Sequence, residues 1–269
     1  MIKVNVFTSN ERVNHMTPQE RKKKILENLS LSGKVDIFDL VELLKVSAMT
    51  VRRDLDELEK QKKLIRTHGG AALPQVLIGE KSFEQKMSHA HAQKIEIAEK
   101  AVKLIKDGMT ILLDSGTTTL EIAKRLKQRQ NLTVVTNDIK IASEIMDSRL
   151  EIILIGGRVQ NDVGAVFGSY AEAMLKNIHV DIFFLGAHAV HSSFGITAPT
   201  FEKAAIKQEM IKAAESVYLV ADATKFDQKS FAKICGVDSV TGIITDQSLP
   251  TEMEEVFIEL TDFIKDVKI

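Results

Sequence analysis

The sequence has almost no cysteine, and this limits the chemistry it can carry. Cys235 is the single cysteine among 269 residues, so no disulfide can form within one chain. One cysteine is typical of proteins that work in a reducing compartment, and we therefore expect a cytoplasmic protein. Cys235 follows Ala-Lys-Ile next to a predicted strand, which favours a place in the core or an interface over a role as nucleophile.

Long apolar runs are also absent. No stretch approaches the roughly 18 consecutive apolar residues that indicate a membrane-spanning helix. The first residues, MIKVNVFTSNERVNH, lack the basic-then-apolar order of a secretory signal. We expect no membrane association, and we interpret residues 1–15 as an amino-terminal extension without an assigned function.

The sequence has no large excess of charge of either sign, since its net charge is −1. Residues 16–72 carry 12 Lys and Arg against 9 Asp and Glu, so the basic excess lies near the amino terminus. This asymmetry is too small to indicate a nucleic-acid partner by itself. The length and the 44% hydrophobic content allow two domains, each with a buried core.

Three amphipathic helices are predicted before residue 61. Thr17-Pro18-Gln19-Glu20 is a capping-box helix start, and Ile25 and Leu29 form an apolar stripe that ends at Ser32-Gly33. Asp36 caps a second helix, and Ser47 caps a third after a tight turn. The apolar positions of the last two helices are Ile37, Leu40, Val41, Leu44, Ala48, Val51, Leu55 and Leu58.

The polar side of the third helix carries two adjacent arginines, Arg52 and Arg53. A solvated basic turn is the ordinary explanation of such a pair. Two short helices, a tight turn and a third helix with a basic leading end instead predict a helix-turn-helix, here spanning Val35 to Asp54. The following KQKKLIRTHGGA predicts a wing. The candidate DNA-binding residues are Ser47, Met49, Thr50, Arg52, Arg53, Lys62, Lys63, Arg66 and His68.

No metal or cofactor is expected. His68 has no partner at a ligand spacing, and the pair His89 and His91 lacks the cysteines or carboxylates of a metal site.

After a predicted linker at 73–93, residues 94–269 alternate between helical and strand patterns. Short apolar strands are predicted at 110–114, 132–136, 151–156, 181–187, 216–222 and 241–246. Strands of this kind with helical crossovers indicate a mostly parallel sheet covered on both faces. The fold class is therefore α/β, with an amino-terminal winged helix-turn-helix at 16–72.

Polar residues follow several of these strands, and ligands of parallel sheets bind at that edge. Ser115-Gly116-Thr117-Thr118-Thr119 leads into a helix, an arrangement that favours an anion such as phosphate. A simple helix cap is the alternative. Lys225 is the candidate cation over the phosphate. The candidate effector-binding residues at this edge are Asp114, Ser115, Gly116, Thr117, Thr118, Thr119, Thr136, Asn137, Gly156, Gly157, Asp222 and Lys225.

The sequence resembles the DeoR family of bacterial regulators in both parts. In the first part the resemblance rests on Arg21, Ile25, Leu29, the tract Ser47 to Leu55 and the HGGA wing. In the second it rests on FLGA (184–187) and GITAPTFEKAAIKQ (195–208), which are similar to a sensor domain resembling ribose-5-phosphate isomerase. The resemblance implies a repressor of sugar catabolic genes that binds double-stranded operator DNA, forms at least a dimer, and responds to a phosphorylated sugar or related metabolite.

The resemblance to an isomerase raises the alternative of an enzyme. The isomerases carry Asp-Gly-Ala-Asp-Glu where this sequence has Leu185-Gly186-Ala187-His188-Ala189, so three acidic side chains are absent. Glu202 matches an acidic isomerase residue, and Lys225 matches the phosphate lysine, so effector binding is expected without catalysis. His188 and His191 are poor substitutes for positioned acids. We expect no catalytic residues.

Two other interpretations stay open at this point. One is a sugar-phosphate isomerase with a nucleic-acid-binding appendage, and the other is an architectural DNA-binding protein whose second domain only oligomerises. The missing acidic tract counts against the first, and the phosphate-type loop counts against the second.

Overall fold

The computed structural model describes residues 16–32, 34–61, 63–67, 69–72, 82–247 and 249–264. The chain divides into two compact units, Met1–Gln75 and Val76–Ile269. The predicted fold class is confirmed, because a winged helix-turn-helix is followed by an α/β unit with a parallel sheet. The extension at 1–15, the candidate residues Lys62 and His68, and residues 73–81 of the predicted linker lie outside the described residues.

The amino-terminal unit contains three helices and a small sheet. Its elements are α1 (Pro18–Ser32), β1 (Lys34–Asp36), α2 (Ile37–Leu44), α3 (Ala48–Lys60), β2 (Ile65–Arg66) and β3 (Gly70–Ala72). All three predicted caps form: Thr17 and Glu20 bond reciprocally, Asp36 accepts from the amide of Phe38, and Ser47 accepts from the amide of Thr50. The apolar sides of the three helices meet in one buried core.

Strand β1 is not predicted by the sequence pattern. It pairs antiparallel with β3, which pairs in turn with β2, so β3 is the central strand. A Cβ at Gly70 would lie 1.8 Å from the carbonyl oxygen of Val35, so only glycine allows this close approach.

A buried ion pair joins the first helix to the third. The guanidinium of Arg21 donates to both carboxylate oxygens of Asp54, at 2.7 and 3.2 Å, and a further donor reaches the carbonyl of Met16 at 3.0 Å. Asp54 is 3% exposed although it lies among polar residues of α3. The pair therefore fixes which side of α3 faces the core and leaves the opposite side to solvent.

The carboxyl-terminal unit is built on a seven-stranded parallel sheet. Its strands are β4 (Thr110–Leu113), β5 (Thr133–Thr136), β6 (Glu151–Leu154), β9 (Val180–Gly186), β12 (Ala214–Val220), β14 (Gly242–Ile244) and β15 (Asp262–Ile264), in the spatial order β15-β14-β12-β9-β4-β5-β6. Smaller antiparallel sheets are formed by β7 (Arg158–Val159) with β8 (Val166–Phe167), and by β10 (Ala189–His191), β11 (Gly195–Ala198) and β13 (Ala232–Cys235).

Helices cover both faces of the large sheet. They are α4 (Phe83–Ser88), α5 (His91–Ala101), α6 (Thr117–Leu126), α7 (Ile139–Ile145), α8 (Ser169–Leu175), α9 (Phe201–Lys212) and α10 (Thr251–Ile258). Alternate residues of one strand enter opposite cores: Ile111 and Leu113 pack beneath α5 and α6, and Leu112 packs on the side of α8 and α9. Residues 83–88 and 91–93 are helical, although the sequence predicts a linker there.

Cys235 is half-buried on β13, and burial raises the pKa of its thiol to about 11, as suits a packing residue. Among the described residues, no helix combines the length and the apolar character needed to cross a bilayer.

The Arg21–Asp54 pair generates a stability prediction. Removing one partner of a buried ion pair leaves the other uncompensated, so Asp54→Ala should lower the free energy of unfolding of the amino-terminal unit by about 3 kcal/mol. Amide hydrogen exchange of α1 and α3 measures this loss. The control is Lys23→Ala, which should change little, because the side chain of Lys23 is 79% exposed and its ammonium lies 3.9 Å from Glu27. Equal effects of the two substitutions would contradict the prediction.

Candidate functional site

A cleft lies at the carboxyl ends of the central strands β4, β9 and β12. It encloses about 960 Å³, a volume that includes the solvent at its open mouth. Three segments that follow these strands contribute to its lining: residues 114–119, 186–188 and 220–222, together with Lys225. The predicted edge of the sheet is thus where a cavity is found.

The start of α6 presents backbone amides to this cleft. Gly116 occupies the N-cap position, and no side chain caps the helix. The first amides of a helix have no intrahelical acceptor and lie at the positive end of its dipole, so they suit an anion. The hydroxyls of Thr117 and Thr118 line the cleft next to them, and neither has a hydrogen-bond partner among the described residues.

The other two hydroxyls of this loop are already engaged. Ser115 donates to Oδ2 of Asp138 at 2.6 Å, and Thr119 donates to the carbonyl of Asp114 at 2.6 Å. Burial raises the pKa of Asp138, while the bond from Ser115 opposes that shift. Both hydroxyls therefore shape the loop, and in this arrangement their protons are not available to a ligand.

Two buried lysines that the sequence analysis missed stand at the cleft. Lys207, on α9, donates to Oδ2 of Asp114 and, at 2.7 Å, to the carbonyl of Gly186. Lys94, on α5, donates to the carbonyls of Lys86 and, at 2.5 Å, His89. Burial lowers the pKa of Lys94 to about 8, an effect opposed by the charge of Asp222.

A sequence signal for both lysines exists. Lys94 shares the buried stripe of α5 with Ile97, Ala98 and Ala101, at the helical spacing of three, four and seven residues. Lys207 lies between Ala204 and Met210 on the buried side of α9. The ammonium of a lysine on an apolar helical stripe must reach a polar partner inside the protein. Such a lysine therefore indicates a buried polar site.

Asp222 and Asn137 are also placed in the cleft wall. Asp222 accepts from the amide and the hydroxyl of Thr224 and so shapes the turn that carries Lys225. Asn137 donates from Nδ2 to the carbonyl of Val166 at 3.1 Å, whereas its Oδ1 has no partner among the described residues.

Four candidate residues lie outside the cleft lining. Thr136 is buried and donates to the carbonyl of Leu113, so it joins two strands. Gly156 and Gly157 are exposed beyond β6, and a Cβ at Gly157 would meet the carbonyl oxygen of Phe167 at 2.8 Å, which is a packing reason for glycine. Glu202 is exposed at the start of α9, where hydrogen bonds lower its pKa.

The tract 185–189 contributes no acidic group to the cleft. Leu185 is buried, the amide of Gly186 donates to Asp114 at 2.9 Å, and His188 lines the wall. The carboxylates of the described lining residues are Asp114 and Asp222, and both have partners. No described group of three or more His, Cys, Asp or Glu residues could hold a metal ion.

In the amino-terminal unit, the polar side of α3 forms an exposed surface. Met49 is 75% exposed, and Arg52 and Arg53 point to solvent, with Arg53 3.8 Å from Glu57. Ser47 and Thr50 form the capped start of this helix, and Lys63 is exposed after its end.

Arg66 occupies a different position from these cations. Its Nε lies 3.4 Å from Asp56, and its amide donates to Glu59 at 2.8 Å, so it ties β2 to α3.

Comparisons with known proteins agree with the division of the chain into two units. The DeoR-like helix-turn-helix domain matches residues 21–76, and the DeoR C terminal sensor domain matches residues 89–247. A putative aga operon transcriptional repressor of Escherichia coli O157:H7 is 34% identical, over 88% of this chain and 89% of its own. The lactose phosphotransferase system repressor of Lactococcus lactis subsp. lactis is 36% identical, over 93% of this chain and 99% of its own.

Solved structures show more distant similarity. The ribose 5-phosphate isomerase A of Methanocaldococcus jannaschii is 20% identical, with a TM-score of 0.39 over 51% of this chain and 55% of its own.

The shifted pKa of Lys94 generates a prediction for anion binding. Above pH 8 the ammonium loses its proton, so the affinity for sulfate, whose own charge stays constant, should fall about tenfold per pH unit. Calorimetric titration at several pH values measures it. Lys94→Met should weaken binding at neutral pH and abolish the decline, whereas the exposed control Lys103→Met should keep both. If the affinity of Lys94→Met still declined above pH 8, a group other than Lys94 would be responsible for the pH dependence.

Proposed function

The chain belongs to the DeoR family of DNA-binding transcriptional repressors, and we propose that a phosphorylated sugar or related metabolite, bound in the cleft, releases it from its operator. The observation that carries this proposal is the uncapped start of α6, which lines the same cleft as the buried Lys94. Members of this family are repressors and not enzymes.

Phosphate is the ligand group that this chemistry favours. Free amides at a helix start, two threonine hydroxyls and nearby lysines together supply the donors and positive charge that a phosphate dianion requires. Lys225 and Lys94 are the cations we place against it, with Thr117 and Thr118 on the other side. The name of one relative, the lactose phosphotransferase system repressor, supports a sugar as the rest of the molecule.

For DNA, we infer that α3 is the recognition helix. Its exposed arginines have the fork of donors that binds guanine in the major groove, whereas Lys63 is suited to phosphates. Arg66 acts mainly in positioning the wing, because its guanidinium is bound to Asp56.

We also propose self-association and a cytoplasmic location. Operators of helix-turn-helix proteins usually mirror the two-fold symmetry of a dimer, so a dimer or a higher oligomer is expected. The protein must reach chromosomal DNA, and its single cysteine suits a reducing compartment.

The assignment of α3 predicts two kinds of variant. Arg52→Ala or Arg53→Ala should weaken binding to an operator, selected from random DNA with the wild-type protein, by about 1–3 kcal/mol. Lys63→Ala should weaken binding similarly on all sequences and flatten its salt dependence. Fluorescence anisotropy at several salt concentrations measures both effects. Folded arginine variants with full operator affinity would show that another element recognises the bases.

The phosphate site predicts a repressor that cannot be induced. Lys225→Ala and Thr118→Val should bind the operator as the wild type does, yet stay bound when the effector is added, because each removes a phosphate contact. A gel-shift titration with the sugar phosphate that releases the wild type measures this. Lys229→Ala is the control, since this exposed lysine lies outside the cleft lining. Release of Lys225→Ala at wild-type effector concentrations would place the phosphate elsewhere.

A further inference from the structure

Two buried oxygen atoms in the cleft wall have no hydrogen-bond partner among the described residues. They are Oδ1 of Asp114 and Oδ1 of Asn137, in residues that are 1% and 2% exposed. Buried acceptors without partners are uncommon in native proteins, because each one loses its hydration without compensation. Both residues line the cleft, so a bound ligand is the natural source of the missing donors.

The orientation of Asn137 is fixed by its surroundings. Its side-chain Nδ2 donates to the backbone carbonyl of Val166 at 3.1 Å. The backbone carbonyl of Asn137 accepts from the backbone amide of Val166 at 2.7 Å. Rotating the amide by half a turn would place Oδ1 against the carbonyl of Val166, acceptor against acceptor. The free position of Asn137 is therefore an acceptor and not a donor.

The second oxygen is Oδ1 of Asp114, whose other carboxylate oxygen, Oδ2, already accepts two hydrogen bonds. Oδ2 of Asp114 accepts from the amide of Gly186 at 2.9 Å and from the ammonium of Lys207. Lys207 is held in place by a further bond to the carbonyl of Gly186. In this arrangement Gly186 and Lys207 both bind Oδ2, and Oδ1 is left as a second acceptor.

We propose that these two acceptors determine the specificity of the effector site by binding hydroxyl groups of the sugar part of the effector. This inference rests on the proposed function, because it assumes that the phosphate is anchored at the start of α6. The effector is then a phosphorylated sugar or sugar alcohol with free hydroxyls on its carbon chain. A phosphorylated sugar acid is rejected, because its carboxylate oxygens would face two acceptors. A site built to bind a hydroxyl discriminates strongly against analogues that lack it.

The ligand side of this inference is tested on the wild-type protein. Calorimetry compares inorganic phosphate, the tightest-binding sugar phosphate of a panel, and two kinds of analogue of that sugar phosphate: deoxy analogues that each lack one hydroxyl, and an analogue with a hydroxyl-bearing carbon oxidised to a carboxylic acid. At least one deoxy analogue should bind about tenfold more weakly, the loss expected for one hydrogen bond to a buried acceptor. The acid should bind no better than inorganic phosphate. If every deoxy analogue, or the acid, bound as well as the parent, the inference would be overturned.

The role of the protein is tested with the variant Asn137→Ala. The matched control is Asn177→Ala, because the side-chain amide of Asn177 lies outside the cleft lining and donates to the carbonyl of Ala173. The ratio of affinities for the sugar phosphate and for inorganic phosphate should fall about tenfold in Asn137→Ala and stay unchanged in the control. The affinity for inorganic phosphate, measured on each variant, is the reference for this ratio, and it should be unchanged in Asn177→Ala.

The two proposals fail in different ways. If inorganic phosphate and sugar phosphates all fail to bind the wild type, the proposed function is wrong and this inference falls with it. If phosphate binds and the ratio in Asn137→Ala equals that of the wild type, the specificity inference alone is wrong.

Discussion

Asp114, a carboxylate buried just after β4, is the constraint on which the sensor unit depends. A buried charge must be paired, and Asp114 meets this requirement through Lys207 on α9 and the amide of Gly186 on β9. These contacts join β4, β9 and α9 at the edge of the sheet where the cleft opens. They also leave Gly186 little room for a side chain, because a Cβ there would lie 3.1 Å from Asp114.

The amino-terminal unit uses a buried ion pair for a related purpose. The ion pair with Arg21 holds the side chain of Asp54 in the core, so Arg52 and Arg53, which precede it in α3, point to solvent. In both units a charged side chain that the apolar pattern cannot explain determines the geometry of a neighbouring functional surface. The cleft and the polar face of α3 are therefore consequences of where buried charge is compensated.

The sequence predicts most of this structure because much of it is local. Capping by Thr17, Asp36 and Ser47 depends on residues within three positions, and apolar strands show as short runs. The buried stripes of α5 and α9 show that Lys94 and Lys207 face the interior, but they do not show what each ammonium binds. Lys207 and Asp114, for example, are 93 residues apart in the sequence. The engagement of Ser115 with Asp138 is equally invisible in the sequence, since the two residues meet only through the sheet.

The central claim is that the cleft and the operator-binding surface are thermodynamically linked. The most direct measurement is the operator affinity with and without the releasing sugar phosphate, together with the affinity for that sugar phosphate with and without operator. We expect the sugar phosphate and the operator each to weaken the binding of the other by the same factor, on the order of 5- to 150-fold. A sugar phosphate that binds free and operator-bound protein equally well would contradict it.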